Sequence, residues 1–197
     1  MKPIKTTSIA VTAIYCTLTA ISITHYQQPF TPLNNFLSQL GNSNLNPTGA
    51  IYYNLAVILA GTTAILFYRH LNQWYKKKSG KQLPKYTPTL FTLNALAVAL
   101  SGVFPESTNY PLHVAASYMI FITFIPILLQ VNKALQQLPG YPKPISYYGY
   151  LVAAINAILL IAVTAQFMGT GPAIGSIMEW LAVFTYLGWI TALALNA

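Results

Sequence analysis

The chain contains no aspartate, and its two acids, Glu106 and Glu179, are the only carboxylate side chains among 197 residues. Chemistry that relies on paired aspartates, or on a carboxylate cage for magnesium, therefore lacks its groups. A single cysteine, Cys16, excludes an intramolecular disulfide and any Cys-x-x-Cys metal or redox pair. Charge of either sign is scarce: 6% of residues carry it, against about 25% in a soluble globular domain. A surface so poor in charge does not face water over most of its area. P-loop, dinucleotide-binding, HExxH and G-x-S-x-G patterns are missing as well.

What the chain does have is apolar residues, 55% of the total, with a mean hydropathy of +0.52. They gather in six runs, at about 8–24, 50–68, 87–104, 112–131, 146–168 and 177–196, each long enough to span a bilayer. The runs are continuous rather than alternating, and a backbone in lipid must satisfy its own hydrogen bonds, so helices are expected. The fold class read from this is all-α: one six-span polytopic membrane domain over 1–197.

Six of the ten Lys and Arg residues fall in one stretch, Arg69 to Lys85. Short loops rich in Lys and Arg stay on the cytoplasmic side. With that loop inside, six crossings put both termini inside, and Lys2, Lys5, Lys133 and Lys143 fall on the same side. Glu106 and Glu179 then fall at the outer face. The expected location is the cytoplasmic (cell) membrane. The net charge of +8 sits in short loops with no basic recognition helix, so it suits anionic lipid headgroups and excludes a nucleic-acid partner. Lys2 and Lys5 before an apolar stretch resemble the start of a signal peptide. No A-x-A site follows, and a retained first span is expected.

The first outer segment, from His25 to Gly49, holds a further pattern. Thr31 suits a helix cap, Pro32 a first helical position and Gly41 a stop. Between them Leu33, Phe36, Leu37 and Leu40 recur at helical spacing, which predicts a short amphipathic helix over 32–40 lying on the outer surface. Within the spans, Gly61, Gly102, Gly149 and Gly188 allow close helix approach, and Thr62, Asn94, Ser101 and Asn156 are candidates for interhelical hydrogen bonds. Trp74, Tyr75, Tyr147, Tyr148 and Tyr150 at inner span ends, and Tyr52 and Tyr53 at the outer, match interfacial aromatic belts.

Ionisable groups near a membrane are costly and mark function or pairing. His113 and Glu179 lie at matching depth near the outer ends of spans 4 and 6. His25, Asn46, Asn54 and Glu106 flank the same face, as does Ser38. Together they predict a polar pocket roofed by the 32–40 helix that binds a lipid headgroup or small amphiphile. The bland alternative has His113 and Glu179 paired to each other or to backbone. A hydrolase built on Ser38, His113 and Glu179 has the residue types for base-assisted attack but no local signature. His25, His113, Glu106 and Glu179 are acceptable zinc ligands without zinc-site spacing. Neither a metal nor a cofactor is expected. His70, in the basic loop, reads as solvated.

Ser38-Gln39-Leu40-Gly41 after span 1, Gly102-Val103-Phe104-Pro105 ending span 3, His113 and Glu179, in that order, resemble the six-span prokaryotic membrane family catalogued as domain of unknown function 998. The resemblance covers nearly the whole chain and implies no established activity. In that family's pattern the Glu is often followed by Arg, whereas here Trp180 follows, which removes an ion-pair partner. Membrane hydrolases of the ceramidase and adiponectin-receptor type also use Ser and His near one face, but they need three zinc-binding His. The expected partners are membrane lipid and either another membrane protein or a second copy of the chain. An accessory subunit with no ligand is the third reading.

Overall fold

Proline and glycine punctuate the helices. The computed structural model describes residues 3–197, which form α1 (Pro3–Thr24), α2 (Ala50–Ser79), α3 (Thr87–Val103), α4 (Tyr110–Gln136), α5 (Lys143–Phe167) and α6 (Gly175–Leu195). Lys2, counted above among the cations, lies outside the described residues. Prolines occupy the first turns of α3, α4 and α5, where a missing N–H costs nothing. Gly80 ends α2 in the left-handed conformation (φ 70°) that glycine adopts without strain, its N–H donating to Lys76 O.

Five helices are long and apolar enough to cross a membrane, and the sixth, α3, is an apolar helix of 17 residues. At 1.5 Å per residue α3 reaches about 25 Å, just short of a hydrocarbon core of about 30 Å. The chain is a polytopic membrane-type helical bundle. The basic stretch is less of a loop than its charge suggests, because α2 continues as helix to Ser79 and carries Lys76–Lys78 in its last turn. Cations there complement the negative end of the helix dipole.

The helices form a closed circuit: each packs on its neighbours in sequence, and α1 closes on α6. At one end the α1 start meets the α2 end through Thr7 and His70, and Trp189 Nε1 of α6 donates to Asn132 Oδ1 of α4. The described Lys and Arg residues all belong to this basic end. Its interior is filled by Phe67, Leu71, Ile127, Leu128, Leu135 and Trp189, all fully buried. At the other end, Ser22 Oγ donates to Gly49 O, tying α1 to α2, and both acids lie here.

Midway, Asn94 of α3 joins three helices. Its Nδ2 donates to Ile120 O and Thr123 Oγ1 of α4, and its Oδ1 accepts from Tyr68 of α2, whose hydroxyl also meets Tyr186 of α6 at 2.6 Å. Interhelical hydrogen bonds in membranes average about 0.6 kcal/mol each, so Asn94→Leu should lower stability by roughly 1–2 kcal/mol. Thermal unfolding in detergent checks this. Of the four expected, Asn94 is the one whose side chain hydrogen-bonds between helices. Thr62, Ser101 and Asn156 each bond a carbonyl three or four residues back on their own helix, the local option that competes with partners across an interface. The aromatic belt is also partial, since Tyr147 faces outward whereas Tyr53 and Tyr75 are buried in the bundle.

The amphipathic helix expected over 32–40 does not form. A turn at Thr31–Asn35 leads instead into a 3₁₀ turn, Leu37–Gly41, with Leu37 and Leu40 fully buried and Leu33 exposed. The reason lies in where the backbone groups go. Asn35 O accepts from Trp180 Nε1, Leu33 O accepts from Ser176 Oγ, and Leu37 N–H donates to Glu179 Oε2. Partners on α6 take groups that an isolated helix would have used internally, and a helix this short had no stability of its own to resist. Residues 31–41 form a strap fastened across the acidic end.

Candidate functional site

The chain turn after α3 sets the first half of the site. Phe104, preceding a proline, leaves the helix, and Pro105 O accepts from Thr108 N–H and Asn109 N–H to close a turn that carries Glu106. Asn109 then caps α4, its side chain accepting from Leu112 N–H. One residue later His113 points inward, 7% exposed. Its Nδ1 lies 3.1 Å from Phe104 O and 3.3 Å from Ser101 O. Carbonyl oxygens only accept, so Nδ1 carries the proton, and in the neutral ring Nε2 is left as an acceptor. That Nε2 faces Glu106 Oε1 at 3.9 Å, beyond hydrogen-bond reach.

The strap supplies the second half. Ser38 Oγ donates to Glu106 Oε1 at 3.1 Å and Asn42 Nδ2 to Oε2 at 3.4 Å. Glu179, in the second turn of α6, holds the strap through Leu37 N–H at 2.6 Å. Both carboxylates are thus held by neutral donors. The field of Glu106 reaches the loop after α1, where burial first, and that charge second, push the Tyr26 hydroxyl above its ordinary pKa.

Ser38, Glu106, His113 and Glu179 stand at one end of a cavity of about 320 Å³. Its walls are Val114, Ser117, Tyr118 and Phe121 of α4 and Leu159, Leu160, Val163 and Phe167 of α5. Tyr110 and Phe167 at its rim are about half and two-thirds exposed on the outside of the bundle, so it opens between α4 and α5. A narrower space of about 100 Å³ shares Ser38, His113, Ser117, Phe121 and Glu179 and runs inward to Tyr68, Asn94 and Tyr186. An apolar cleft with a few convergent polar groups at one end has the form of a small-molecule site, at the small end of the usual range of about 300–1,000 Å³.

The four groups brought together are those nearest the cavity, but their partners differ from the expected ones. His113 and Glu179 do not pair: the imidazole faces Glu106, and Glu179 serves the strap. Ser38 donates to Glu106 rather than to His113. Asn54 lines the inner space and donates to Gly41 O. Two expected pocket residues lie elsewhere. His25 is exposed and stacks on Tyr52, with ring centroids 5.5 Å apart. Asn46 is fully buried in the loop, donating to Ser22 O, Ser22 Oγ and Leu40 O and accepting from Gly49 N–H. Among the described residues no three His, Cys or acidic side chains stand close enough to hold a metal ion. Sequence reading passed over Ser117, Phe121 and Tyr118. Stepping four residues along α4 from His113 gives Ser117 and then Phe121, a signal that was available.

The segments that carried the family likeness meet here. Ser38 and Gly41 lie on the strap, Phe104 O accepts from His113, and Glu179 anchors the strap. A family model described as protein of unknown function (DUF998) matches residues 9–196. No curated protein and no solved structure matches the chain.

Proposed function

Because the chain belongs to the DUF998 family, whose description assigns no activity, the site itself must carry the functional reading, and we propose that it binds a membrane amphiphile. The observation that carries this is the cavity between α4 and α5, apolar along its walls and ending on Ser38, Glu106, His113 and Glu179. An acyl chain suits the walls and a polar headgroup suits the end. The positive-inside rule puts the basic end in the cytoplasm, with both termini, so the cavity opens into the outer leaflet of the cell membrane. The occupant would be a membrane lipid or a related amphiphile.

The hydrolase reading requires the Ser38 hydroxyl on the imidazole that would deprotonate it. That hydroxyl donates to a carboxylate, which favours binding over acyl transfer. The accessory-subunit reading requires His113 and Glu179 to be enclosed with no space beside them, and both line the cavity.

Filling the cavity tests the proposal. Val163→Trp should abolish lipid retained through purification, read by native mass spectrometry, with helicity and melting temperature kept. Unchanged lipid occupancy in a folded Val163→Trp protein would remove the proposal.

A further inference from the structure

We infer that the headgroup end of this cavity selects a primary ammonium group, so that the ligand is a long-chain amine or an amine-headed lipid. The inference rests on the amphiphile-binding reading and adds the chemistry of the head. It comes from counting donors and acceptors.

His113 is more than nine-tenths buried, and both carbonyls on its Nδ1 side require a proton there. In the neutral ring the Nε2 lone pair then aims at the site with no hydrogen-bond partner, and the atom it faces, Glu106 Oε1, is itself an acceptor at 3.9 Å. Two acceptors facing each other across that gap repel unless a donor stands beside them. Glu106 receives only the Ser38 hydroxyl and the Asn42 amide, and Glu179 only backbone amides of the strap. Among the described residues no lysine or arginine lines the cavity, and the lysines and the arginine described belong to the basic end of the bundle. The Glu106 carboxylate, the Glu179 carboxyl group and, in the neutral ring, an imidazole lone pair therefore converge on one space with no cation among the described residues.

A group with several N–H donors and a positive charge answers all three. An –NH₃⁺ offers three donors, and charge-assisted bonds to carboxylates are about twice as strong as neutral ones. A phosphate or carboxylate head would set a second anion against the Glu106 carboxylate. A hydroxyl head brings one donor and no charge. A trimethylammonium head brings the charge and no N–H, so it cannot bridge Nε2 and Glu106.

The test uses the full-length protein in phosphatidylcholine nanodiscs, with empty nanodiscs subtracted. Dodecylamine, dodecyltrimethylammonium, dodecanol and dodecyl phosphate are titrated as competitors of a fluorescent long-chain amine. Dodecylamine should compete at least about tenfold better than the trimethylammonium and dodecanol, which corresponds to roughly 1.4 kcal/mol, and dodecyl phosphate should not compete. Glu106→Gln keeps an acceptor for Ser38, and Glu179→Gln keeps one for Leu37, so both should fold while binding the amine about tenfold more weakly. Equal competition by dodecanol and dodecylamine, or Gln variants that bind the amine as wild type does, would overturn the headgroup assignment and leave the cavity reading standing. No saturable binding of any of the four would overturn both.

Discussion

Gly149→Val is expected to be the most damaging single change outside the site, preventing the protein from accumulating or lowering its stability by about 3 kcal/mol or more. A Cβ on Gly149 would occupy the space of the Asn132 side chain, which is fully buried. Asn132 cannot simply move. Its Nδ2 donates to Leu128 O and its Oδ1 accepts from the indole of Trp189, itself completely enclosed. Overpacking costs about 1–3 kcal/mol, and an indole N–H left without a partner adds about as much. Gly188→Ala is the milder comparison: its Cβ would stand 2.7 Å from the Tyr148 hydroxyl, the far end of a half-buried side chain that donates to Thr185 O and can turn aside at the cost of that one bond, and replacing glycine within a helix otherwise gains about 0.5–1 kcal/mol. Fluorescence-detected size exclusion across a temperature ramp compares the two. Similar melting curves for both variants would show that the α4–α5 contact is softer than described.

Asn46→Ala carries the second large effect, about 2–4 kcal/mol, and its character separates it from the proposed ligand site. Four hydrogen bonds converge on that side chain from both sides of the loop, and alanine would leave Ser22 O, Leu40 O and Gly49 N–H without it in a place sealed from water. The melting temperature should fall, while ligand retained per folded molecule stays as in wild type. A variant that melts normally but loses ligand would return Asn46 to the binding site.

The bundle was legible because its signals are redundant. Each span is a long apolar run, and the short turns carry Pro, Gly or Lys, so no single residue decides the outcome. The candidate site was legible in its ionisable residues, since these are few at the acidic end of the bundle: Glu106, His113 and Glu179 stood out for that reason, as did His25, which lies away from the cavity, whereas Ser38, Asn46 and Asn54 were only three of many polar residues there. The pairing of the ionisable groups was not legible. His113 and Glu179 share a depth, but the turn at Pro105 delivers Glu106 to the imidazole first, and turn geometry is not written in span periodicity. The strap was misread for a related cause. Leu33, Phe36, Leu37 and Leu40 have helical spacing, yet the carbonyls and amides between them are claimed by Ser176, Glu179 and Trp180, about 140 residues away in sequence. Trp180 takes part in that fastening through Asn35 O.

The fastened strap also determines how an occupant would be exchanged. With the acidic end covered by residues bonded to α6 and to Glu106, the way in lies sideways between α4 and α5. Delivery of the proposed amphiphile would then depend on diffusion within the leaflet, and competition among ligands would follow their mole fractions in the surrounding lipid rather than their concentrations in water. Doubling the lipid-to-protein ratio at constant total amine would therefore dilute the ligand and lower occupancy, even though nothing in the aqueous phase had changed.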